Sequence, residues 1–252
     1  MRERALRAIE FSEVCIREKV SGVFFQPLQF VRDCERMNRG ILKLFKAAGI
    51  PVVLLDSDIV PPPSRSEYDL VGVDNTGVGY MLAKHVIAAG AKRIMYFSNP
   101  LPAPTSLKRG TGVGIAVAEA GLPWKKGSVF FADPTDTRAA ARVFAGSNRP
   151  DAIIAVNDHI ASLLLKTLKA IGKRVPEDVL LAGVNGDPVA EEAFPPLTTV
   201  VQPCHEIGET AVSLMFERLA NPGFLPREVF LSARLIVRES TKFDKKKMRG
   251  KR

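Results

Sequence analysis

Asp56, Asn157, Asn185 and Gln202 each stand at or close after the end of a short apolar run. In an open parallel sheet, ligands bind beyond the carboxyl ends of the strands. Polar groups placed there are suited to fixing a small polar ligand. An Asn or Gln side chain offers two donor hydrogens and an acceptor, a match to neighbouring hydroxyls or to another amide. Arg109 adds a planar fork that holds two oxygens at once, and Thr105 contributes a hydroxyl just before it. Plainer roles compete. Asp56 and Gln202 would also suit hinges or turns, Arg109 a surface position at a helix start, and Asp158 the N-cap of the helix that follows it.

Catalytic signals are weak. His85, His159 and His205 fall on separate helical stretches, and none pairs in sequence with a nucleophile. Gly-x-Ser-x-Gly, Walker and His-Glu-x-x-His patterns do not occur. Gly110-Thr111-Gly112-Val113-Gly114 hints at a dinucleotide turn, with Asp133 at a suitable distance. That fingerprint must follow a strand directly, however, and here a proline-containing loop intervenes. Cys15, Cys34 and Cys204 stand far apart, with no His at metal-ligand spacing. They are expected to be small buried or half-buried hydrophobes in a reducing compartment. The expectation is binding without chemistry, with no enzyme activity, cofactor or metal.

The elements that must carry these groups follow from patterning. Strands are predicted at 21–25, 51–56, 69–74, 93–97, 128–133, 152–157, 179–185 and 198–202. Most are continuous Val/Ile/Leu/Phe runs, as strands covered on both faces require. Between them Val78, Met81, Leu82 and Val86, and likewise Ile160, Leu164, Leu168 and Ile171, recur at helical spacing. Gly49, Gly90, Gly121 and Gly172 each follow such a stretch, where a left-handed cap wants glycine. Segments 61–64 and 99–106 are proline-rich loops, and 227–240 supplies one or two returning strands. This alternation predicts an α/β, doubly wound, mostly parallel architecture. The chain opens on a helix-like stretch at 2–19, so the first lobe is expected to be entered part-way through.

The net charge of +9 is uneven: from Lys242 onward seven Lys and Arg face one Asp, a tail of +6 that leaves +3 for the rest. A short tail of this kind is expected to be solvated and disordered, and the body is not a basic nucleic-acid surface. No apolar run approaches the ~20 residues of a membrane helix, and the N-terminus lacks a signal-peptide core, so no membrane role and a cytoplasmic location are expected.

Three stretches together resemble the LacI/GalR family of transcription regulators. They are Arg149-Pro150-Asp151 running through Ile153-Ile154-Ala155-Val156 to Asn157-Asp158, Val175-Pro176-Glu177-Asp178-Val179 leading to Gly183-Val184-Asn185-Gly186-Asp187-Pro188, and Pro195-Pro196-Leu197-Thr198-Thr199-Val200-Val201-Gln202-Pro203. Gly49 to Asp56, Val73-Asp74-Asn75, Gly90 to Ile94 and the Arg109-Gly110-Thr111-Gly112 that opens a helix add to them in the right order. The resemblance implies a two-lobed type I periplasmic-binding-protein-like fold. Residues 1–72 and 202–230 would form an incomplete N-terminal lobe, 73–201 and 231–241 the other lobe, and 242–252 the tail. It further implies a small effector, a saccharide or related polyol, held in a cleft by Asn157 and the other candidates. DNA would be bound through a headpiece missing from this chain, together with the first strand–helix–strand, and the full-length protein would be a homodimer. A solute-binding protein of a sugar transport system is the alternative. Asn185 stands where the family more often has Asp, and Val113 and Pro134 stand where aromatics are common, so ring stacking at 134 is not expected.

Overall fold

The computed structural model describes residues 2–29, 33–61 and 64–242, the first four of these by backbone alone. The basic tail beyond Lys242 and two of the prolines of the 61–64 loop lie outside the described residues. In chain order the first elements are α1 (Arg2–Arg17), β1 (Val23–Phe25), α2 (Cys34–Ala47), β2 (Val52–Leu55), β3 (Asp69–Val73) and α3 (Asn75–Ala88). There follow β4 (Ile94–Ser98), α4 (Pro104–Glu119), β5 (Val129–Phe131), α5 (Thr137–Ala145), β6 (Ala152–Ala155) and α6 (Asp158–Ala170). The last are β7 (Leu180–Asn185), α7 (Pro188–Glu192), β8 (Thr198–Val201), α8 (Cys204–Ala220), β9 (Glu228–Leu231) and β10 (Arg234–Ile236).

The chain divides into two units. The first comprises Met1–Asp74, Ala103–Thr105 and Pro203–Ser232; the second comprises Asn75–Pro102, Ser106–Gln202 and Ala233–Arg252. Unit 1 holds a parallel sheet in the order β1-β2-β3-β9. Alternation along its strands sends Val52, Leu54 and Leu70 into a core with Ile41, Leu42 and Phe45 of α2, while Val53 and Val71 face Ala211, Leu214 and Met215 of α8. Both faces are thus covered, which is why β2 is apolar throughout. The side chain of Asp69, fully buried, accepts from Arg218 Nε (3.0 Å) and from the backbone N–H of Arg227 (2.8 Å), tying β3 to α8 and to the approach to β9. Cys204 is exposed at the start of α8, against the expectation of burial, whereas Cys15 is buried. Helix periodicity, not composition, sets that difference.

Unit 2 holds six strands in the order β10-β8-β7-β6-β4-β5, parallel except for the antiparallel β10–β8 pair. Left-handed glycines end the helical stretches at Gly90 (φ 102), Gly121 (φ 65) and Gly172 (φ 72). The glycine run after Arg109 has a packing cause. A Cβ at Gly112 would lie 1.9 Å from Thr76 O, and one at Gly79 would lie 1.9 Å from Arg109 O. Helices α3 and α4 therefore meet backbone to backbone, and no larger residue fits. Gly110 lies against the Tyr96 ring and Gly114 against Trp124. No phosphate-binding turn is needed to account for these glycines. Helix α4 begins at Pro104, so the Arg109 motif lies in its second turn and does not open it. Proline suits a first helical position, where its missing N–H costs nothing.

This packing predicts opposite outcomes for one substitution type. Gly112→Ala should destabilise the protein by about 2–3 kcal/mol in urea unfolding, since backbone must move. Gly40→Ala on α2 and Gly208→Ala on α8, with nothing within 4 Å of the added carbon, should be stabilising by about 0.5–1 kcal/mol.

Candidate functional site

The carboxyl ends of β8, β7, β6 and β4 lie side by side in unit 2. The chain leaves β4 toward β5 on one side and then crosses to β6 on the other, so the winding direction reverses between β4 and β6. Ligands of doubly wound sheets bind outside the strand ends at such a reversal. Ser98, the last residue of β4, is buried there with an Oγ that has no hydrogen-bond partner among the described residues. The sequence placed the end of that strand one residue earlier and passed Ser98 over.

Arg109 reaches the same edge from α4. Only 5% exposed, it donates from Nε to Asn75 Oδ1 (2.7 Å) and from NH1 to the carbonyl of Val156 (2.7 Å), the residue before Asn157. It is no surface arginine. Its guanidinium is fixed against α3 and the end of β6, so it has a structural share as well as any ligand role.

Asn157 takes the capping role expected of Asp158. Asn157 is the N-cap of α6: its backbone is extended (φ −156, ψ 174) and its Oδ1 accepts from Ile160 N at 2.8 Å. Its Nδ2 has no partner among the described residues. Asp158 is the first helical residue and is wholly buried. Its Oδ2 accepts from Gly186 N (2.8 Å), Asp187 N (2.9 Å) and Thr199 Oγ1 (2.9 Å). Those bonds draw it to the loop after β7 and away from its own helix end, which is the physical reason it does not cap. Burial pushes its carboxyl above the usual carboxylate range, while the Thr199 hydroxyl and the two backbone N–H groups pull the other way. A Cβ at Gly183 would fall 2.2 Å from Asp158 Oδ1, so the buried carboxylate also dictates glycine there.

The loop that Asp158 holds carries Asn185 and Gly186 at φ 121 and φ 77. Asn185 accepts at Oδ1 from Gln202 Nε2 (2.9 Å) and donates from Nδ2 to Asp187 Oδ2 (3.2 Å). Asn185 and Gln202 are therefore brought together, and Arg109 stands at the strand end that leads into Asn157. Asp56 and Thr105 belong to unit 1. Asp56 follows β2 at φ 67, and its Oδ1 is buried without a hydrogen-bond partner among the described residues; Thr105 is buried at 5% exposure. Asp187 and Ser98 are the polar groups of these loops that sequence reasoning missed. The signal for Asp187 was an acid two residues after the expected ligand residue Asn185. Among the described residues no group of three or more His, Cys, Asp or Glu is placed to hold a metal ion.

Residues 83–241 match the periplasmic binding protein-like domain. The chain belongs to that family. Its relatives are LacI-type regulators. The CelR regulator of Thermobifida fusca is 31% identical over 79% of this chain and 58% of its own length. The PurR repressor of Mannheimia succiniciproducens is 29% identical over 91% of this chain and 67% of its own length. The chain thus spans 58–67% of these two relatives. A solved CelR–cellobiose complex superposes with a TM-score of 0.79 at 28% identity, covering 93% of this chain and 70% of that one. A LacI family regulator from Mycobacterium smegmatis gives 0.75 at 26% identity, over 92% of this chain and 83% of that one. No helix among the described residues is long and apolar enough to cross a membrane.

The clamp at Asp158 is testable by stability alone. Asp158→Ala leaves two backbone N–H groups and a threonine hydroxyl without their acceptor, so unfolding free energy should fall by about 2–5 kcal/mol. Thr199→Val, which removes one donor, should cost about 1–2 kcal/mol. Chemical denaturation of both variants checks the order.

Proposed function

We propose that this chain is the effector-sensing part of a LacI-type transcription regulator, holding a small polar metabolite of the saccharide or polyol class and performing no chemistry on it. The observation that carries the reading is the row of polar groups at adjacent strand ends of unit 2: Gln202, Asn185, Asn157 and the fixed guanidinium of Arg109. Asp56 and Thr105 belong to unit 1 and lie outside that row. The relative solved with cellobiose supports the ligand class, and relatives named as transcriptional regulators favour this role over a transport component. Operator recognition is assigned to a headpiece outside these 252 residues, dimerisation to the full-length regulator, and the whole to the cytoplasm.

A thermal-shift screen with cellobiose, ribose, inosine, ATP and NAD tests the proposal. Saturation at a hundredfold the Kd stabilises by about 2.7 kcal/mol, a shift of several degrees. A rise with ATP or NAD and with no saccharide overturns the ligand class. Asn157→Ala should weaken a bound saccharide about 5- to 150-fold, because a buried ligand acceptor loses its donor. Since Asn157 also caps α6, the same variant should lose about 1 kcal/mol of stability without ligand. Titration calorimetry together with melting separates the two effects. Unchanged affinity with lowered stability would make Asn157 a capping residue only.

A further inference from the structure

The loop after β7 contains an acid that the fold does not use. Asp187 occupies the N-cap position of α7, where an aspartate normally folds its carboxylate back onto the helix N–H groups, yet its side chain makes no capping hydrogen bond. The carboxylate turns to Asn185 instead. Gln202 Nε2 donates to Asn185 Oδ1, and Asn185 Nδ2 donates to Asp187 Oδ2, so the relay runs from donor to acceptor and ends on a group that only accepts. That one amide bond is the only hydrogen bond to the Asp187 carboxylate among the described residues, and the residue is half-buried. Asp187 takes part in no ion pair among the described residues, and neither does its neighbour Asp158.

The backbone is fixed as firmly as the side chain. The Gly186 and Asp187 N–H groups are held on Asp158 Oδ2, and Asn185 is kept at φ 121, a conformation that costs free energy for a residue with a side chain. Asp158 thus holds this loop so that the Asp187 carboxylate stays beside a strand end.

We infer that Asp187 is the specificity-determining residue of the effector site: its carboxylate accepts hydrogen bonds from adjacent hydroxyls of a neutral polyol and repels acids built on the same skeleton. The inference rests on the effector-site reading above. Asn185 and Gln202 act here as positioning residues, setting the carboxylate through their amides. An amide here would put an NH2 donor in place of one carboxylate oxygen and remove the negative charge, so it would neither accept at both oxygens nor repel an acid.

Titration calorimetry on the full chain tests this with two neutral probes, cellobiose and ribose, and their ring-retaining uronic acids, cellobiouronate and riburonate. The wild type should bind at least one neutral sugar and prefer it over its acid by about 10-fold or more. Asp187→Asn should lose about 10- to 100-fold in affinity for that sugar and bring the neutral-to-acid ratio close to one. The ratio is measured within each variant, so it is independent of how much protein is folded. A ratio unchanged in Asp187→Asn, or a wild type that binds the acid as tightly as the sugar, overturns the inference alone. A wild type that binds none of the four overturns the effector-site reading and the inference with it.

Discussion

A carboxylate taken out of water with no cation beside it must be held by hydrogen bonds, or the fold loses several kcal/mol. Asp158 is such a group, and its one oxygen gathers the start of α6, the turn after β7 and a hydroxyl from β8. The three strand ends of unit 2 that carry candidate ligand groups, those of β6, β7 and β8, are thereby tied together by one side chain. Because its partners include two backbone N–H groups, the arrangement is rigid in a way that contacts between long side chains are not. The strained pair at Asn185 and Gly186 persists on that account.

Arg109 depends on a different constraint. Arg109 reaches Val156 because α4 lies against α3 at backbone distance, and that approach exists only with glycine at 79 and 112. Hydrogen bonding fixes the ends of β6, β7 and β8, and steric contact between α3 and α4 fixes Arg109. Neither mechanism substitutes for the other, since an arginine fork displaced by even an ångström loses the alignment that bidentate recognition needs.

The fold was legible because its strands are covered on both faces. Runs such as Val52-Val53-Leu54-Leu55 and Ala152-Ile153-Ile154-Ala155 admit few other readings, and the left-handed glycines mark helix ends with a local cause. What the sequence hid was decided by contacts distant along the chain. Asn157 and Asp158 can each cap a helix, and the choice between them is made by N–H groups nearly thirty residues later. The Gly110-x-Gly112-x-Gly114 spacing looks like a nucleotide turn because close approach of any backbone, protein or phosphate, demands the same residue. Arg109 was misplaced by one helical turn because a proline counted as loop was a helix start. For the candidate site, strand-end position could be inferred from pattern, whereas the partners of each group could not.

Unit 1 has its own dependence on distant sequence, and it concerns the order of events during synthesis. Its sheet is completed by β9, and the Asp69 carboxylate receives Arg218 and the Arg227 N–H from residues made some 150 positions later. Every strand of unit 2 except β10 has been synthesised by then. The second unit of the chain therefore has the material to fold first, and the first unit waits with a buried-acid position unpaired and a strand edge open. Contacts of such long sequence separation form slowly. Premature termination near residue 210 would leave β4 to β8 of unit 2 made but without β10, while depriving unit 1 of the arginine that pairs with Asp69.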